Sequence, residues 1–128
     1  MTIEHANITD PNLHEPVGAS TATAGQVYVA DGAGSGNWIK LFWREDLTIS
    51  PASVGANTTS EQTFTLSGLL LASDSIVSVS KPTHQTGLGI VGWRVSADDT
   101  IAITFMNNTG SPIVPTASQT YKVHICRS

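Results

Sequence analysis

The second half of this sequence alternates apolar and polar residues in short runs, and turn-forming residues separate the runs. Because successive side chains of a β-strand point to opposite faces, such a run builds a strand with one apolar face. Residues 100–106 and 120–126 follow this pattern most clearly. The side chains predicted to share a buried face are Ile101, Ile103 and Phe105 in the first run, and Tyr121, Val123 and Ile125 in the second.

Further runs of strand-forming residues precede these two, with turn residues between them. Strands at such spacing predict an all-β fold, either a small β-sandwich or a jelly-roll-like barrel. Residues 66–73 are a candidate for a short helical turn, although Gly68 disfavours a helix. The predicted strands cover residues 26–30, 37–42, 47–49, 62–66, 76–80, 90–96, 100–106 and 120–126.

The first 25 residues differ in composition from the rest of the chain. Pro11 and Pro16 prevent a continuous helix, and residues 18–25 are nearly all Gly, Ala, Ser and Thr. Such small side chains bury little surface, so we expect this segment to be ordered chiefly by contact with a partner. The predicted organisation is an extended N-terminal arm over residues 1–25, a β-hairpin over 26–46 and the sandwich or jelly-roll-like domain over 47–128.

The acidic residues are distributed unevenly along the chain. Residues 1–39 carry four carboxylates and no Lys or Arg, whereas six acids and six bases cancel over residues 40–128. The formal net charge of −4 therefore belongs to the first third of the chain. This balance argues against nucleic-acid binding, which usually requires a basic patch. It permits docking on a basic protein surface; alternatively, it keeps a loose segment in solution. The four acids are Glu4, Asp10, Glu15 and Asp31.

The predicted β-domain is small, and small β-domains commonly gain stability by oligomerisation, which covers strand edges and apolar patches. We therefore expect a homo-oligomer, and specifically a homotrimer. Large aromatic side chains are typical anchors of cores and interfaces, although tryptophans also stack on sugars. The predicted oligomer or packing anchors are Trp38, Trp43, Trp93 and Tyr121.

Motifs for cofactor and metal binding are weak in this sequence. Gly32–Gly36 forms G-x-G-x-G, but a strand-like segment follows it rather than a helix, so a hairpin loop is favoured over a nucleotide site. His14 and Glu15 begin a zinc-protease-like pattern that the next residue, a proline, interrupts. Together with His5 and Asp10 they leave a metal site as an alternative to solvated or interface residues.

Candidates for acid–base and nucleophilic chemistry are equally few. His84 and His124 would need an Asp and a nucleophile, and no G-x-S-x-G elbow identifies one. Asp98 and Asp99 fall in a predicted turn, where paired carboxylates more often cap a hairpin. We therefore predict no enzymatic activity, no catalytic residues, no metal, no cofactor and no small-molecule substrate.

The single cysteine, Cys126, excludes an internal disulfide, and its place at the end of an apolar strand favours a small core residue. The first residues lack the basic and apolar regions of a signal peptide. No apolar run approaches the ~20 residues needed to span a bilayer. We expect no membrane association, and assembly in a cytoplasm.

Two stretches of the chain carry longer motifs. Residues 5–38 contain D-P-x-x-H-E-P-x-G followed by G-x-V-Y-V-A-D-G-x-G-S-G-x-W, and residues 57–127 include GLGIVGWRVS and IAITFMNN. The first stretch resembles the N-termini of capsid-decoration and head- or tail-fibre proteins of tailed bacteriophages. The second is similar to a β-rich domain of phage structural proteins. Together the two stretches cover most of the chain.

This resemblance implies a structural role in the virion and no enzymatic activity. The favoured function is a capsid decoration, or cement, protein that binds the outer surface of the major capsid protein shell and stabilises it, assembling in the host bacterial cytoplasm. An extended arm can add a strand to an exposed capsid edge, and three arms on one trimer bind cooperatively. The alternatives are a tail or head-fibre component with a receptor- or glycan-binding role and, less favoured, a small cell-wall hydrolase. The predicted capsid-binding residues are Ile3, Ile8, Asp10, Pro11, Leu13, His14, Glu15 and Pro16.

Overall fold

The computed structural model describes residues 21–32 and 36–128. The described residues divide between two compact units, with the boundary between Lys40 and Leu41. Most of the predicted arm, residues 1–20, lies outside the described residues, as does the centre of the glycine-rich turn, residues 33–35.

The first unit contains an antiparallel hairpin of two short strands, β1 (Val27–Ala30) and β2 (Gly36–Ile39). Tyr28 lies opposite Trp38 in the register, and their rings meet edge to face with centroids 5.4 Å apart. A side chain at Gly36 would collide with the carbonyl of Val29 and come within 2.9 Å of the Tyr28 ring. The absence of a Cβ at this position therefore makes room for the aromatic pair.

The second unit contains two three-stranded antiparallel sheets, with strand orders β3-β8-β5 and β4-β7-β6. Their inner faces share one hydrophobic core, which makes the unit a small all-β sandwich. The fold class predicted from the alternation is therefore confirmed. The strands are β3 (Phe42–Ile49), β4 (Thr58–Thr65), β5 (Asp74–Ser80), β6 (Leu88–Ala97), β7 (Thr100–Asn107) and β8 (Gln119–Arg127).

The two central strands supply most of the fully buried side chains. These strands, β7 and β8, each lie between two neighbouring strands, so their inward-facing side chains are covered by the strands on both sides and by the opposite sheet. The two apolar faces predicted from the sequence are the ones that the core buries. These side chains are Ile101, Ile103 and Phe105 on β7 and Tyr121, Val123 and Ile125 on β8, each at most 1% exposed.

The sandwich begins at Leu41, whereas the sequence places the boundary between residues 46 and 47. The difference arises at Phe42–Asp46, which pair in register with Cys126–Lys122 of the last strand and so form the first half of β3. Three consecutive charged residues obscure the apolar alternation in this segment. Long-range pairing with β8, which local sequence does not reveal, decides that it is a strand.

The segment between β4 and β5, the candidate for a short helical turn, is a series of turns. Backbone N–H groups in this loop donate to carboxylates elsewhere in the chain. Gly68 N donates to Asp99 Oδ1 at 2.7 Å and Leu71 N to Asp98 Oδ1 at 2.8 Å. The Asp98–Asp99 pair at the β6–β7 turn therefore holds the neighbouring loop in place.

Candidate functional site

The predicted capsid-binding residues all lie within residues 3–16, outside the described residues. Their placement, and the docking role predicted for them, stay predictions. The four predicted anchors do fall within the described residues. They occupy different environments, and one of them, Trp93, borders a depression on the surface of the sandwich.

Tyr121 and Trp43 belong to the core and its margin. Tyr121 is fully buried and packs edge to face against Phe105 with ring centroids 6.4 Å apart. Its hydroxyl has no hydrogen-bond partner among the described residues, and burial raises the pKa of this phenol above its usual range. Trp43 packs against the core, and the Arg127 guanidinium lies 5.0 Å from its ring centroid. Trp38 belongs to the hairpin of the first unit.

Trp93 lies where the two sheets of the sandwich approach each other along β5 and β6. A groove of about 300 Å³ runs along this line, and we call it the seam groove. It combines an aromatic ring, aliphatic side chains, a hydroxyl and charged groups. The residues that line it are Leu71, Asp74, Ser75, Ile76, Trp93, Arg94 and Val95.

The position of Trp93 follows from strand register and from its place on an edge strand. It pairs with Ile103 and so points to the inner side of its sheet, but β6 lies at the edge of that sheet. The ring therefore reaches past the core toward β5, where its Nε1–H donates to the Ile76 carbonyl at 3.0 Å. This hydrogen bond fixes the indole while 36% of the residue stays exposed.

Irregularities in both strands contribute to the shape of the seam. The register of β5 shifts between Ile76 and Ser78, and that of β6 shifts between Ile90 and Gly92. The residues inserted at these points, Val77 and Val91, are about half exposed, at 50% and 52%. β-Bulges of this kind bend a strand and redirect its side chains.

Asp74 forms one wall of the seam groove, but its carboxylate already has several partners. Arg127 donates from Nε to Oδ1 at 2.6 Å and from Nη2 to Oδ2 at 2.7 Å, and Leu70 N donates to Oδ2 at 2.9 Å. The side chain is unexposed. The Arg127 hydrogen bonds hold the pKa of Asp74 below its usual range. Asp74 therefore acts as a structural carboxylate that joins β5 to the end of β8.

Arg94 also lines the groove, but its guanidinium lies on the outer face of the sheet, where Glu61 of the opposite edge strand binds it. Its Nε donates to Oε2 at 3.0 Å and its Nη2 to Oε1 at 2.7 Å, which leaves Nη1 outside the pair. The bridge crosses the central strand β7, where the small residue Ala102 lies opposite Arg94 and is fully covered. Hydrogen bonding within the pair lowers the pKa of Glu61 and raises that of Arg94.

His124, a candidate for acid–base chemistry in the sequence, lies half-buried between exposed Phe42 and a serine. Its Nδ1 is 3.0 Å from the Ser78 hydroxyl on β5, and its ring stacks on Phe42 with centroids 6.0 Å apart. The sequence contains no signal that selects Ser78, because the pairing depends on the bulge in β5. The arrangement joins three adjacent strands on the outer face of one sheet.

A second depression, of about 310 Å³, lies at one end of β4 and β7. Its buried polar residue, Asn107, is fully engaged in the fold. Its amide nitrogen donates to the carbonyls of Val54 at 3.2 Å and Ser111 at 2.7 Å, and its oxygen accepts from Thr109 N at 2.9 Å. This asparagine holds the loop that follows β7. The depression is lined by Asn57, Thr58, Thr59, Met106, Asn107 and Asn108.

The described ranges contain neither a cluster of potential metal ligands nor a helix that could span a membrane. Within residues 21–32 and 36–128, no three His, Cys, Asp or Glu side chains gather closely enough to hold a metal ion. In the same part of the chain, no helix is long and apolar enough to cross a membrane. The predicted metal alternative at His5, Asp10, His14 and Glu15 lies outside these ranges.

Of the residues that line the seam groove, the sequence predicts only Trp93 as an anchor. Ser75 and Ile76 meet Trp93 only because the edge strands of two different sheets lie side by side. Alternation assigns residues to the faces of a strand but does not say which edges of two sheets become neighbours. Comparison with known protein families, with curated proteins and with solved structures finds no match to this chain.

Proposed function

We propose that this protein is a structural component of a bacteriophage virion that decorates the capsid. In this proposal its N-terminal segment binds the outer surface of the major capsid protein shell, and the sandwich is held on that surface and stabilises it. The phage-like motifs in the sequence suggest the setting. The observation that carries the proposal is that the first and last strands of the sandwich pair with each other, so that the chain enters and leaves this unit at neighbouring positions.

The first and last strands of the sandwich, β3 and β8, are neighbours over their whole length. Arg127 N donates to the Leu41 carbonyl at 2.8 Å, so the start and the end of this unit lie side by side. The chain that precedes Leu41 therefore leaves the sandwich from one end of a sheet. A closed body with its connecting segment at one end suits a protein that is attached to a surface.

The chemistry of the preceding segment supports docking on a protein. Residues 1–39 carry four carboxylates, no Lys and no Arg. Carboxylates without neighbouring bases favour a basic partner surface and give an ionic-strength-dependent association rate. We include a homotrimer in the proposal, since several weakly binding segments on one assembly raise the effective concentration at the shell.

The copy number in purified particles tests the proposed location. Quantitative mass spectrometry against the major capsid protein should give a high, fixed ratio to capsid subunits. A few copies per particle, matching the stoichiometry of tail proteins, would instead assign the chain to a tail or head fibre with a receptor-binding role.

Light scattering on the free protein should give the mass of a trimer, and a stable monomer at micromolar concentration would disprove the proposed homotrimer.

The docking segment is tested by a charge-matched pair of variants. The Asp10→Asn/Glu15→Gln variant should bind purified shells more weakly than the wild type, and deletion of residues 1–18 should abolish binding. The control is Glu45→Gln/Asp46→Asn, which removes the same charge from β3 and should bind as the wild type does. Full occupancy of shells by the deletion variant would disprove the role of the segment.

A further inference from the structure

We propose that the seam groove is a carbohydrate site, in which the pyranose ring of a neutral sugar stacks on the indole of Trp93. This inference goes beyond decoration of a capsid. It concerns a surface of the sandwich, not the N-terminal segment, so that either proposal can fail without the other.

The indole is already held in a binding geometry. Its Nε1–H donates to the Ile76 carbonyl at 3.0 Å, and 36% of the residue is exposed at the groove. A ring fixed before binding loses little rotamer freedom when a ligand arrives. The faces of an aromatic ring carry partial negative charge, which favours contact with the C–H groups on the apolar face of a sugar.

The groove also provides a polar group beside the ring. Ser75 is exposed and offers a hydroxyl that can donate and accept. Arg94 lines the groove, but Glu61 holds its guanidinium on the opposite face of the sheet from the indole, so Arg94 is not assigned as a hydrogen-bond donor to the ligand. Asp74 is unexposed and engaged with Arg127, so we assign it no direct contact with the ligand.

The charge and size of the groove define the ligand class. Arg94 is neutralised by Glu61, and Asp74 by Arg127, so the lining does not select an ionised ligand. A volume of about 300 Å³ corresponds to roughly ten waters and lies at the small end of ligand pockets. One sugar ring fits these limits better than a long oligosaccharide or a helix. A ring with one apolar face and a hydroxyl rim also matches the mixed lining.

A single ring in an open groove is expected to bind weakly, with a Kd of about 1 mM or above. Weak sites become effective when many copies are displayed together. The display of many copies together rests on the proposed virion location, whereas the binding of one sugar by one chain is independent of that location.

The test is a titration of the full-length, ¹⁵N-labelled protein with three neutral disaccharides, namely lactose, cellobiose and chitobiose, followed by NMR. At least one of them should cause saturable shifts at the Trp93 indole N–H and at the amides of Ser75 and Arg94. No saturable shift with any of the three up to tens of millimolar, or shifts confined to other regions, would overturn the proposal.

Two variants locate the site. Ser75→Ala should weaken binding by about two- to tenfold, which corresponds to the loss of one hydrogen bond. Trp93→Phe should weaken it further, and its amide spectrum verifies that the fold is retained. The control is Thr63→Ala on the exposed side of β4, which should bind as the wild type does. Wild-type affinity in a Ser75→Ala/Trp93→Phe double variant would overturn the assignment, whatever the copy number in particles.

Discussion

Two arginine–carboxylate pairs in the sandwich have similar geometry and very different surroundings. Arg127 contacts Asp74 at 2.6 and 2.7 Å, and Arg94 contacts Glu61 at 3.0 and 2.7 Å. The Asp74 side chain is unexposed, whereas the Arg94 and Glu61 side chains are 58% and 42% exposed. Distance alone therefore says little about what each pair contributes, because water competes for one and not for the other.

The two pairs also hold different parts of the fold. Asp74 joins β5 to the end of β8 and accepts from Leu70 N, while Arg127 also donates to the Gly68 carbonyl at 3.0 Å. Loss of this pair would loosen a loop and two strands together. The Arg94–Glu61 pair crosses the outer face of the other sheet over Ala102 and joins strands that β7 already connects.

Replacing Arg127 should have the largest effect. Arg127→Met leaves the Asp74 carboxylate buried without its cation and should lower the free energy of unfolding by about 3–5 kcal/mol. Urea denaturation followed by circular dichroism measures the loss. Arg94→Met is the matched control and should shift the urea midpoint far less. Equal shifts for the two variants would contradict the distinction drawn from burial.

Asp74 should also govern how stability depends on acid. Arg127 holds the folded-state pKa of Asp74 below the unfolded value of about 3.9. The folded state then binds fewer protons, so this stabilisation is complete above the unfolded pKa and disappears as pH falls through the folded pKa. Urea unfolding of wild type and Asp74→Asn below about pH 4 should show a shallower pH dependence in the variant. Parallel curves would exclude Asp74 as a source of acid sensitivity.

The exposed Arg94–Glu61 pair should contribute little to Tm, and salt should reduce that contribution further. Glu61→Gln should cause only a small decrease in Tm, because both side chains are solvated and the interaction is screened. The difference in Tm between wild type and Glu61→Gln should shrink in 1 M NaCl, because the Debye length at this concentration is about 3 Å. For Arg127→Met the corresponding difference should persist. A salt-insensitive Glu61→Gln effect would mean that the pair is better shielded than its exposure indicates.

Tyr121 extends the comparison to a buried polar group that has no partner among the described residues. Tyr121→Phe removes an unpaired hydroxyl from the core, so stability should stay constant or rise by up to about 1 kcal/mol. Thermal unfolding measures this, with Tyr28→Phe in the hairpin as the exposed-tyrosine control. A clear loss of stability would point to a buried water that binds the hydroxyl.

Much of the fold could be predicted because period-two alternation is a local property. The runs around Ile103 and Val123 alternate cleanly, and both became central strands with fully buried inner faces. The segment Phe42–Asp46 was assigned to the hairpin because three charged residues interrupt its pattern. It became part of the sandwich because β8, some eighty residues away, pairs with it.

The seam groove could be predicted even less well than the strands, because it too depends on contacts between residues distant in sequence. Trp93 stands out in the sequence as a large aromatic residue, yet nothing there indicates that its indole reaches the Ile76 carbonyl of another sheet. The bulges in β5 and β6, and the meeting of these two edges, select Ser75 and Ile76 as its neighbours. Likewise, alternation marks Asp74 only as a polar residue at the start of a strand.

Local chemistry along the chain was sufficient for the all-β class, the inner faces of the central strands and the acidic character of the first third. Backbone geometry and side-chain period are set residue by residue, so these properties can be read without knowing what lies across the sheet. The order of strands, the seam groove and the contrast between the two arginine pairs arose only in the folded chain. Each of these depends on contacts between residues distant in sequence and on the exclusion of water, and both exist only once the two sheets have packed together.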